Sequence, residues 1–179
     1  NYGSIDYESY ENLIEFHIKN NTDAIVPVGT TGESATIDQS EHCKIVSFVV
    51  DKVAKRIPVI AGTGANSTAE AIALTKYAYE AGVDGCLSVT PYYNKPTQEG
   101  LYLHFKSIAD SVPVPLIPYN VPGRTYCDML PSTVKRFLEI ENIVAVKEAI
   151  GELDRIKELV EICGDKINIL SGDDYTAME

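Results

Sequence analysis

Short apolar runs alternate along the chain with longer stretches in which apolar residues recur at helical spacing. Each run is five residues long and rich in β-branched side chains. An uninterrupted apolar run of this length is typical of a strand that is buried on both faces. The pattern therefore predicts six strands, at 24–28, 57–61, 85–89, 115–119, 143–147 and 167–171.

The stretches between these runs predict amphipathic helices, because their apolar residues fall on one side of a helix. The predicted helices span 7–20, 38–55, 68–81, 98–111, 131–139 and 152–163. Start and stop signals agree with these bounds. Ser67 or Thr68 can cap the third helix, Pro131 suits a first turn, and Gly82 and Gly164 can end helices.

Strands that alternate with helices at intervals of roughly 30 residues indicate right-handed crossovers and a parallel sheet. Two architectures have this pattern, a doubly wound sheet and a closed (β/α)8 barrel. A doubly wound nucleotide-binding sheet usually carries a glycine-rich fingerprint after its first strand. Here residues whose side chains could bind or react with a substrate follow nearly every strand. This distribution favours the TIM barrel, whose site gathers all the βα loops at one face.

A barrel of this type needs eight strands, and the pattern provides six. The chain starts at what resembles the first helix and stops just after a strand. Open sheet edges and an unfilled interior would result. We therefore expect residues 1–179 to form a single partial barrel domain that lacks the first strand and the C-terminal part.

Composition narrows the possible partners. The 26 acidic residues outnumber the 15 basic ones, for a net charge of −11, which disfavours nucleic acid and anionic membranes. Cys43, Cys86, Cys127 and Cys163 are widely separated and form no CxxC pair, so we expect reduced thiols and no metal site. No apolar run approaches the ~20 residues of a membrane span, and the N-terminal residues lack the pattern of a signal peptide, so we expect a cytoplasmic location.

Lys147 closes an apolar predicted strand, which is a costly place for a charged amine. Two interpretations remain open. Either Glu148 or another acid pairs with the lysine, or a neutral Lys147 acts as a nucleophile toward a ketone. Tyr119, at the end of the preceding strand, favours the second, because imine formation requires a group that relays protons.

Three further segments follow strand ends. The turn at 29–33 offers glycine-flanked backbone N–H groups and two hydroxyls to a small anion, although a capped helix start needs no ligand. Arg124 suits bidentate binding of a carboxylate, although it can equally be a solvated loop arginine. Tyr92 and Tyr93 are adjacent and cannot both point into a barrel, so we expect one of them to face a neighbouring subunit. The histidines, at 17, 42 and 104, fall within predicted helices and receive no catalytic role.

Taken together, several motifs resemble the dihydrodipicolinate synthase family, part of the N-acetylneuraminate lyase superfamily of class I pyruvate aldolases. They occur in register over essentially the whole chain. The motifs are GTTGES at 29–34, IPVIAGTGAN at 57–66, TPYYNKPTQEGLYLHF at 90–105, YNVPGRT at 119–125, VKEAIG at 146–151 and SGDD at 171–174.

The resemblance implies an activity. In that family pyruvate forms a Schiff base with a lysine, here Lys147, and the enamine attacks aspartate 4-semialdehyde to give 4-hydroxy-tetrahydrodipicolinate for lysine biosynthesis. The family's proton relay falls on Tyr119, Thr30 and Tyr93, the last donated across a tight dimer interface. Thr31 would hold the pyruvate carboxylate. The family commonly forms dimers of dimers.

The resemblance also bears on the substrate. Arg124 matches the arginine that binds the semialdehyde carboxylate, and Gly172 lies where backbone lines the same pocket. No metal or organic cofactor is implied. The alternatives are an N-acetylneuraminate lyase or a related sugar-acid aldolase, and an inactive fragment of such a barrel. Sialate lyases typically read Ser-Thr in place of Thr30-Thr31 and lack the arginine.

Many family members are inhibited by lysine at the dimer interface. The residues that resemble this site are Ser34, Ala35, His42, Asn66, Glu70 and Tyr92. Gln39 stands where some lysine-sensitive members have histidine. The resemblance therefore predicts a lysine effector with weak to moderate feedback.

Overall fold

The computed structural model describes residues 3–178, in which helices and strands alternate. The helices of this part of the chain are α1 (Tyr7–Lys19), α2 (Gln39–Val53), α3 (Thr68–Ala81), α4 (Gln98–Ser111), α5 (Pro122–Thr125), α6 (Pro131–Phe137) and α7 (Leu153–Cys163). A 3-10 helix spans Ser34–Thr36. The strands are β1 (Ile60–Gly62), β2 (Gly85–Val89), β3 (Leu116–Asn120), β4 (Ala145–Glu148) and β5 (Asn168–Ser171).

The five strands form one parallel sheet in the order β1-β2-β3-β4-β5. Each strand pairs with its neighbours along the chain, and a helix lies on every crossover. This arrangement confirms the predicted α/β fold with a parallel sheet.

Helix ends follow local signals in the sequence. Ser67 caps α3 by accepting a hydrogen bond from the backbone N–H of Glu70 at 3.4 Å, and α3 ends at Gly82 in the left-handed region with φ 91°. Helix α2 ends two residues before the predicted end. Ala54 and Lys55 adopt positive φ values of 49° and 61°, which are incompatible with a continued right-handed helix.

The predicted strand at 24–28 is wrong as a full strand. Within the described residues it pairs with the chain at β1 through a parallel bridge between Ile25 and Val59 and through the N–H of Gly62, which donates to the carbonyl of Pro27 at 2.9 Å. Pro27 has no N–H to donate to a ladder, and Val28 turns the chain with a positive φ of 48°. The segment nevertheless lies beside β1 and leads into the turn at 29–33.

The prediction that every strand is buried on both faces is wrong for β5. Asn168, Leu170 and Ser171 are exposed, and Leu170 keeps 41% of its surface accessible. Among residues 3–178 β5 pairs only with β4, so one of its edges has no partner strand. An apolar run therefore predicted the strand correctly but not its burial.

The two faces of the sheet carry different side chains. A large hydrophobic cluster packs between the sheet and the helices, and a smaller one lies on the other face, formed by Leu87, Ile117, Tyr119, Val121 and Ala145. Successive side chains of a strand point to opposite faces. Lys147 therefore shares the face of the smaller cluster, whereas the next residue faces the helices.

The four cysteines are free thiols, three of them buried. Within residues 3–178 no group of three or more His, Cys, Asp and Glu side chains is arranged to hold a metal ion. No helix in that range is both long and apolar enough to cross a membrane.

Candidate active site

A cavity of about 780 Å3 opens where β3, β4 and β5 end. The carboxyl ends of parallel strands meet at one edge of a sheet, so the segments that follow them converge there. Six residues that the sequence predicts for substrate chemistry line this cavity together: Thr30, Thr31, Tyr119, Arg124, Lys147 and Gly172. The other lining residues come from the same turns and strand ends.

Lys147 extends from β4 into the cavity and is half-buried. Its Nζ lies 4.5 Å from the centroid of the Tyr119 ring. Burial lowers the pKa of the Lys147 amine below the usual value for lysine, and the charge of Asp174 opposes this shift. In the described part of the chain Lys147 forms no ion pair. At a given pH a larger fraction of this amine is therefore neutral than in an ordinary solvated lysine, and the neutral form is the one that attacks a carbonyl.

Pairing of Glu148 with Lys147, one of the two interpretations left open by the sequence, is wrong. Glu148 is 1% exposed and points to the helix side of the sheet. Its carboxylate accepts hydrogen bonds from the side-chain amide of Asn120 at 3.0 Å and from the backbone N–H of Ala149 at 2.9 Å. Neighbouring residues of a strand face opposite sides, which separates the two charges.

Tyr119 lies directly across from Lys147 in the register of β3 and β4. Burial raises the pKa of the Tyr119 phenol, while its interaction with the Thr30 side chain and the positive charge of Arg124 oppose the rise. The phenol is therefore protonated at neutral pH. A protonated phenol beside an amine can donate a proton to an oxygen that develops charge there.

The turn at 29–33 presents unused donors to the cavity. The N–H groups of Glu33 and Ser34 close the turn on the carbonyls of Thr30 and Gly29 at 3.1 and 3.5 Å. Within residues 3–178 the N–H groups of Thr30 and Thr31 donate to no protein acceptor. Free N–H groups beside hydroxyls form a site for a carboxylate.

Gly172 is required by the path of the Lys147 side chain. A Cβ at position 172 would lie 2.9 Å from Cε of Lys147 and 2.9 Å from Cβ of Ala149. The backbone N–H of Gly172 donates to the carbonyl of Glu148 at 2.7 Å, which holds the segment after β5 against β4. Any larger residue would therefore displace the lysine.

Arg124 lies on the short helix α5, not in a loop as predicted. Pro122 begins this helix, and the Arg124 N–H donates to the carbonyl of Val121 at 2.9 Å. The guanidinium is exposed at the rim of the cavity, and its charge acts on the Tyr119 phenol. A carboxylate entering the cavity would meet this cation near the mouth.

Tyr93 is not brought into this cavity. It is 87% exposed, and its φ is 75°, in the left-handed region. Its backbone N–H donates to the carbonyl of Thr125 at 3.3 Å, which ties the loop to the end of α5. Tyr93 is therefore exposed and outside the lining of the large cavity, while Tyr92 is partly buried.

A second, smaller cavity of about 60 Å3 gathers most of the residues that resemble the lysine site. Its lining includes Ser34, Ala35, His42, Glu70 and Tyr92. Asn66 is not in this lining, but its side-chain amide donates to the carbonyl of Tyr92 at 3.3 Å.

His42 is held by a hydrogen bond between its Nε2 and the carbonyl of Gly62 at 2.8 Å. Burial lowers the pKa of His42, against the opposing influence of that carbonyl and of the charge of Glu70. Gln39, which stands in place of a histidine, also lines the second cavity.

Asp173, Asp174 and Tyr175 also line the large cavity, although no role was predicted for them from the sequence. Asp174 is the acidic group whose charge acts on Lys147. Asp173 instead accepts hydrogen bonds from the backbone N–H and the hydroxyl of Thr176 at 3.0 and 2.8 Å. Their place directly after a strand end was the available signal, because such positions converge on the site.

Comparisons with known proteins show the family to which this chain is similar. A sequence model described as the dihydrodipicolinate synthetase family matches residues 1–179. A curated relative from Thioalkalivibrio sulfidiphilus, named 4-hydroxy-tetrahydrodipicolinate synthase, is 64% identical over 99% of this chain and 60% of its own. The chain thus spans about 60% of the length of that relative.

Solved structures extend the comparison. The 4-hydroxy-tetrahydrodipicolinate synthase of Methylacidiphilum fumariolicum has a TM-score of 0.97 and 51% identity, over 99% of this chain and 60% of that one. A chloride-inhibited dihydrodipicolinate synthase of Acinetobacter baumannii, crystallised with pyruvate, has a TM-score of 0.96 and 53% identity, over 98% and 60%.

Proposed function

Because the chain belongs to the dihydrodipicolinate synthetase family, we propose that its protein condenses pyruvate with L-aspartate 4-semialdehyde, as a 4-hydroxy-tetrahydrodipicolinate synthase. The observation that carries the proposal is the half-buried amine of Lys147, which forms no ion pair within residues 3–178 and lies in a cavity that also carries an anion-binding turn. We further propose that residues 1–179 are one domain forming part of a (β/α)8 barrel.

The first half of the proposed reaction needs a neutral amine and a proton relay. Nζ of Lys147 attacks the keto carbon of pyruvate, whose carboxylate binds the free N–H groups and hydroxyls of Thr30 and Thr31. The oxygen of the resulting carbinolamine leaves as water after it is protonated through Tyr119 and Thr30. Loss of a proton from the methyl carbon of the imine then gives an enamine. This chemistry requires no metal or organic cofactor.

The second half forms the carbon–carbon bond. The enamine carbon attacks the aldehyde of aspartate 4-semialdehyde, and the aldehyde oxygen takes up a proton and becomes a hydroxyl. The substrate amine then adds to the imine carbon and displaces Lys147, so the ring closes and the lysine is regenerated. Arg124 at the rim binds the semialdehyde carboxylate through its planar fork.

The charge at the cavity mouth favours the synthase over a sugar-acid lyase. An N-acetylneuraminate lyase passes a neutral sugar aldehyde through this region, and an exposed guanidinium gives that group no electrostatic advantage. The aldehyde partner of the synthase carries a carboxylate, which Arg124 can bind. The doubled threonine at 30 and 31 also follows the pattern of the synthases.

Borohydride trapping tests the proposal directly. In the full-length protein, reduction in the presence of pyruvate is expected to leave one three-carbon adduct per chain, on Lys147, located by peptide mass spectrometry. Turnover of aspartate semialdehyde with pyruvate, measured beside turnover of N-acetylneuraminate, is expected to be the faster by far. Faster cleavage of N-acetylneuraminate would instead assign the protein to the lyases, and absence of any adduct would contradict both.

We also propose that Tyr93 completes the proton relay of a neighbouring subunit, so that a dimer is the minimum active unit. Its exposure and its absence from the lining of the large cavity of its own chain support this role. The large-cavity residues Tyr119 and Thr30 then supply the rest of the relay within one chain.

Tyr93→Phe is expected to lower kcat by about 100-fold, since the lost hydroxyl serves proton transfer, while KM for pyruvate changes little. Tyr126→Phe is the matched control, because Tyr126 is also exposed, at 77%, and its ring contacts Lys95. Steady-state kinetics decide the outcome. An unchanged kcat in Tyr93→Phe would remove this residue from the mechanism.

The second cavity is our proposed site for a lysine effector. Glu70 offers a carboxylate to an ammonium group, and Ser34, His42 and Tyr92 supply polar contacts. A volume of about 60 Å3 is small for a lysine, so we place the remaining contacts on a second subunit. Gln39 supports weak to moderate inhibition, because it replaces the histidine of some lysine-sensitive relatives.

A further inference from the structure

Four polar residues form a connected group on the helix side of the sheet, behind the residues that line the large cavity. They are Asn120 at the end of β3, Glu148 at the end of β4, Asp128 in the segment before α6, and Arg155 on α7. Asn120 and Glu148 are 0% and 1% exposed. Buried polar groups of this kind are costly unless every one of them is hydrogen-bonded.

Both carboxylate oxygens of Glu148 accept hydrogen bonds. One oxygen accepts from the backbone N–H groups of Ala149 and Ile150 at 2.9 and 3.0 Å. The Asn120 amide lies 3.0 Å from both oxygens. The guanidinium of Arg155 lies 3.8 Å from the second oxygen. Burial raises the pKa of the Glu148 carboxyl, and the hydrogen bonds from Asn120, Ala149 and Ile150 and the charge of Arg155 oppose that rise. All these partners are donors or cations, so they favour a carboxylate that accepts over a carboxylic acid that donates.

Asn120 and Arg155 extend the group to the neighbouring elements. The Asn120 amide also donates to Asp128 at 2.9 Å, and its carbonyl oxygen accepts from the backbone N–H of Met129 at 2.9 Å. The two terminal nitrogens of Arg155 donate hydrogen bonds to the two carboxylate oxygens of Asp128, at 2.9 Å each. This bidentate pair fastens α7 to the segment that follows α5. The four side chains therefore join β3, β4 and α7.

We propose that Asn120, Glu148, Asp128 and Arg155 are positioning residues, which set the distance between the phenol of Tyr119 and the amine of Lys147. In the register of β3 and β4 the pair Asn120–Glu148 directly follows the pair Tyr119–Lys147. The ladder between these strands has only these two register pairs, with one separate bridge near their other ends. The side-chain link therefore reinforces the sheet at the point where the reacting groups depart from it.

The same group also supports the wall of the cavity. The backbone carbonyl of Asn120 accepts from the N–H of Ala149, and the carbonyl of Glu148 accepts from the N–H of Gly172 at 2.7 Å. A shift of Glu148 would therefore move Lys147, which precedes it, and Gly172, against which the lysine packs. Small displacements of reacting groups have large effects on rate.

Glu148→Gln tests the inference, which rests on the proposed function. The new amide would point an N–H group at the Asn120 amide or at the backbone donors, so one contact becomes repulsive. In the full-length protein the rate of imine trapping is divided by the number of sites that carry the adduct at the endpoint, which we call competent sites. We expect this rate per competent site to fall about 10- to 100-fold. The adduct at the endpoint stays at one per chain, and KM for pyruvate changes less than about 3-fold.

Arg155→Lys and Arg136→Lys form a matched pair that keeps charge and removes a bidentate fork. Arg136 forms a similar bidentate pair with the exposed Glu99, at 2.6 and 3.3 Å, and neither residue lines the large cavity. We expect a rate per competent site lower by roughly 3- to 10-fold for Arg155→Lys and unchanged for Arg136→Lys. Arg155→Lys alone decides the outcome if Glu148→Gln does not fold.

Each result has one meaning. A lower melting temperature with an unchanged trapping rate per competent site would show that the four residues only stabilise the fold, and would overturn the inference. Equal losses in Arg155→Lys and Arg136→Lys would overturn it as well. Absence of any adduct in the unmodified protein would contradict the proposed function instead, so the two failures are distinguishable.

Discussion

Lys147→Ala is expected to abolish pyruvate trapping and to lower kcat by about 10⁴-fold or more, because the nucleophile that carries the substrate is lost. Among residues 3–178 no other lysine lines the large cavity. Lys147 is the lysine that lines the large cavity, and the side chain shares that space with Tyr119 and Gly172. Peptide mass spectrometry after borohydride reduction and steady-state turnover provide the two measurements.

The control for this variant is Lys157→Ala. Lys157 lies on α7, and its side chain is 71% exposed and forms an ion pair with the surface residue Asp154 at 3.4 Å. It should keep full trapping and turnover. Retained trapping in Lys147→Ala would contradict the assignment, and peptide mapping would then identify the lysine that carries the adduct.

The same amine predicts a pH dependence. Attack requires the neutral form, whose fraction rises with pH through the pKa of Lys147. Because burial lowers that pKa, the trapping rate in the unmodified protein should reach half its maximum below the usual titration range of lysine. Loss of Asp174, which opposes the shift, should move this midpoint to still lower pH.

Tyr119→Phe is expected to have the second largest effect, a fall in kcat of about 10²- to 10⁴-fold, because the relay loses the phenol nearest the amine. The ring itself remains, so its contact with Lys147 at 4.5 Å and its packing in the smaller cluster are kept. Trapping should become slow but should still reach one adduct per chain.

Tyr102→Phe is the control, because the Tyr102 ring stacks on Phe137 in the helix layer at 6.2 Å between centroids. Its kcat should be unchanged. A Tyr119→Phe variant with normal kcat would leave Thr30 and Tyr93 to carry the protons and would remove Tyr119 from the relay. A variant that traps fewer sites, rather than the same number more slowly, would indicate a structural role for the hydroxyl.

The order of helices and strands was predictable because it depends on local sequence. Apolar runs and amphipathic spacing placed most elements within a few residues, and Ser67, Gly82 and Pro131 marked helix ends as expected. The segment at 24–28 was predicted as a full strand but pairs only in part, because Pro27 has no N–H to donate to the ladder. Helix α5 was missed because four residues are too few to show a helical period.

The site was predictable in part. Residues that follow strand ends converge at one edge of a parallel sheet, so Thr30, Tyr119 and Lys147 could be grouped before the structure was known. The exposure of Tyr93 could not be derived, because it depends on a loop conformation in which this residue has a positive φ. The assignment of Tyr93 to a partner subunit therefore still comes from the family resemblance.

By itself the sequence determined that helices and strands alternate, that the sheet is parallel, and that a lysine ends an apolar strand. These features are local, since they follow from residue periodicity and strand ends. Only the tertiary structure decided which partners each buried charge has. Glu148 is bound to Asn120, 28 residues earlier in the chain, and within residues 3–178 Lys147 forms no ion pair. Both the loss of solvent that lowers the pKa of Lys147 and the network behind it arise from contacts between distant segments, which no local pattern records.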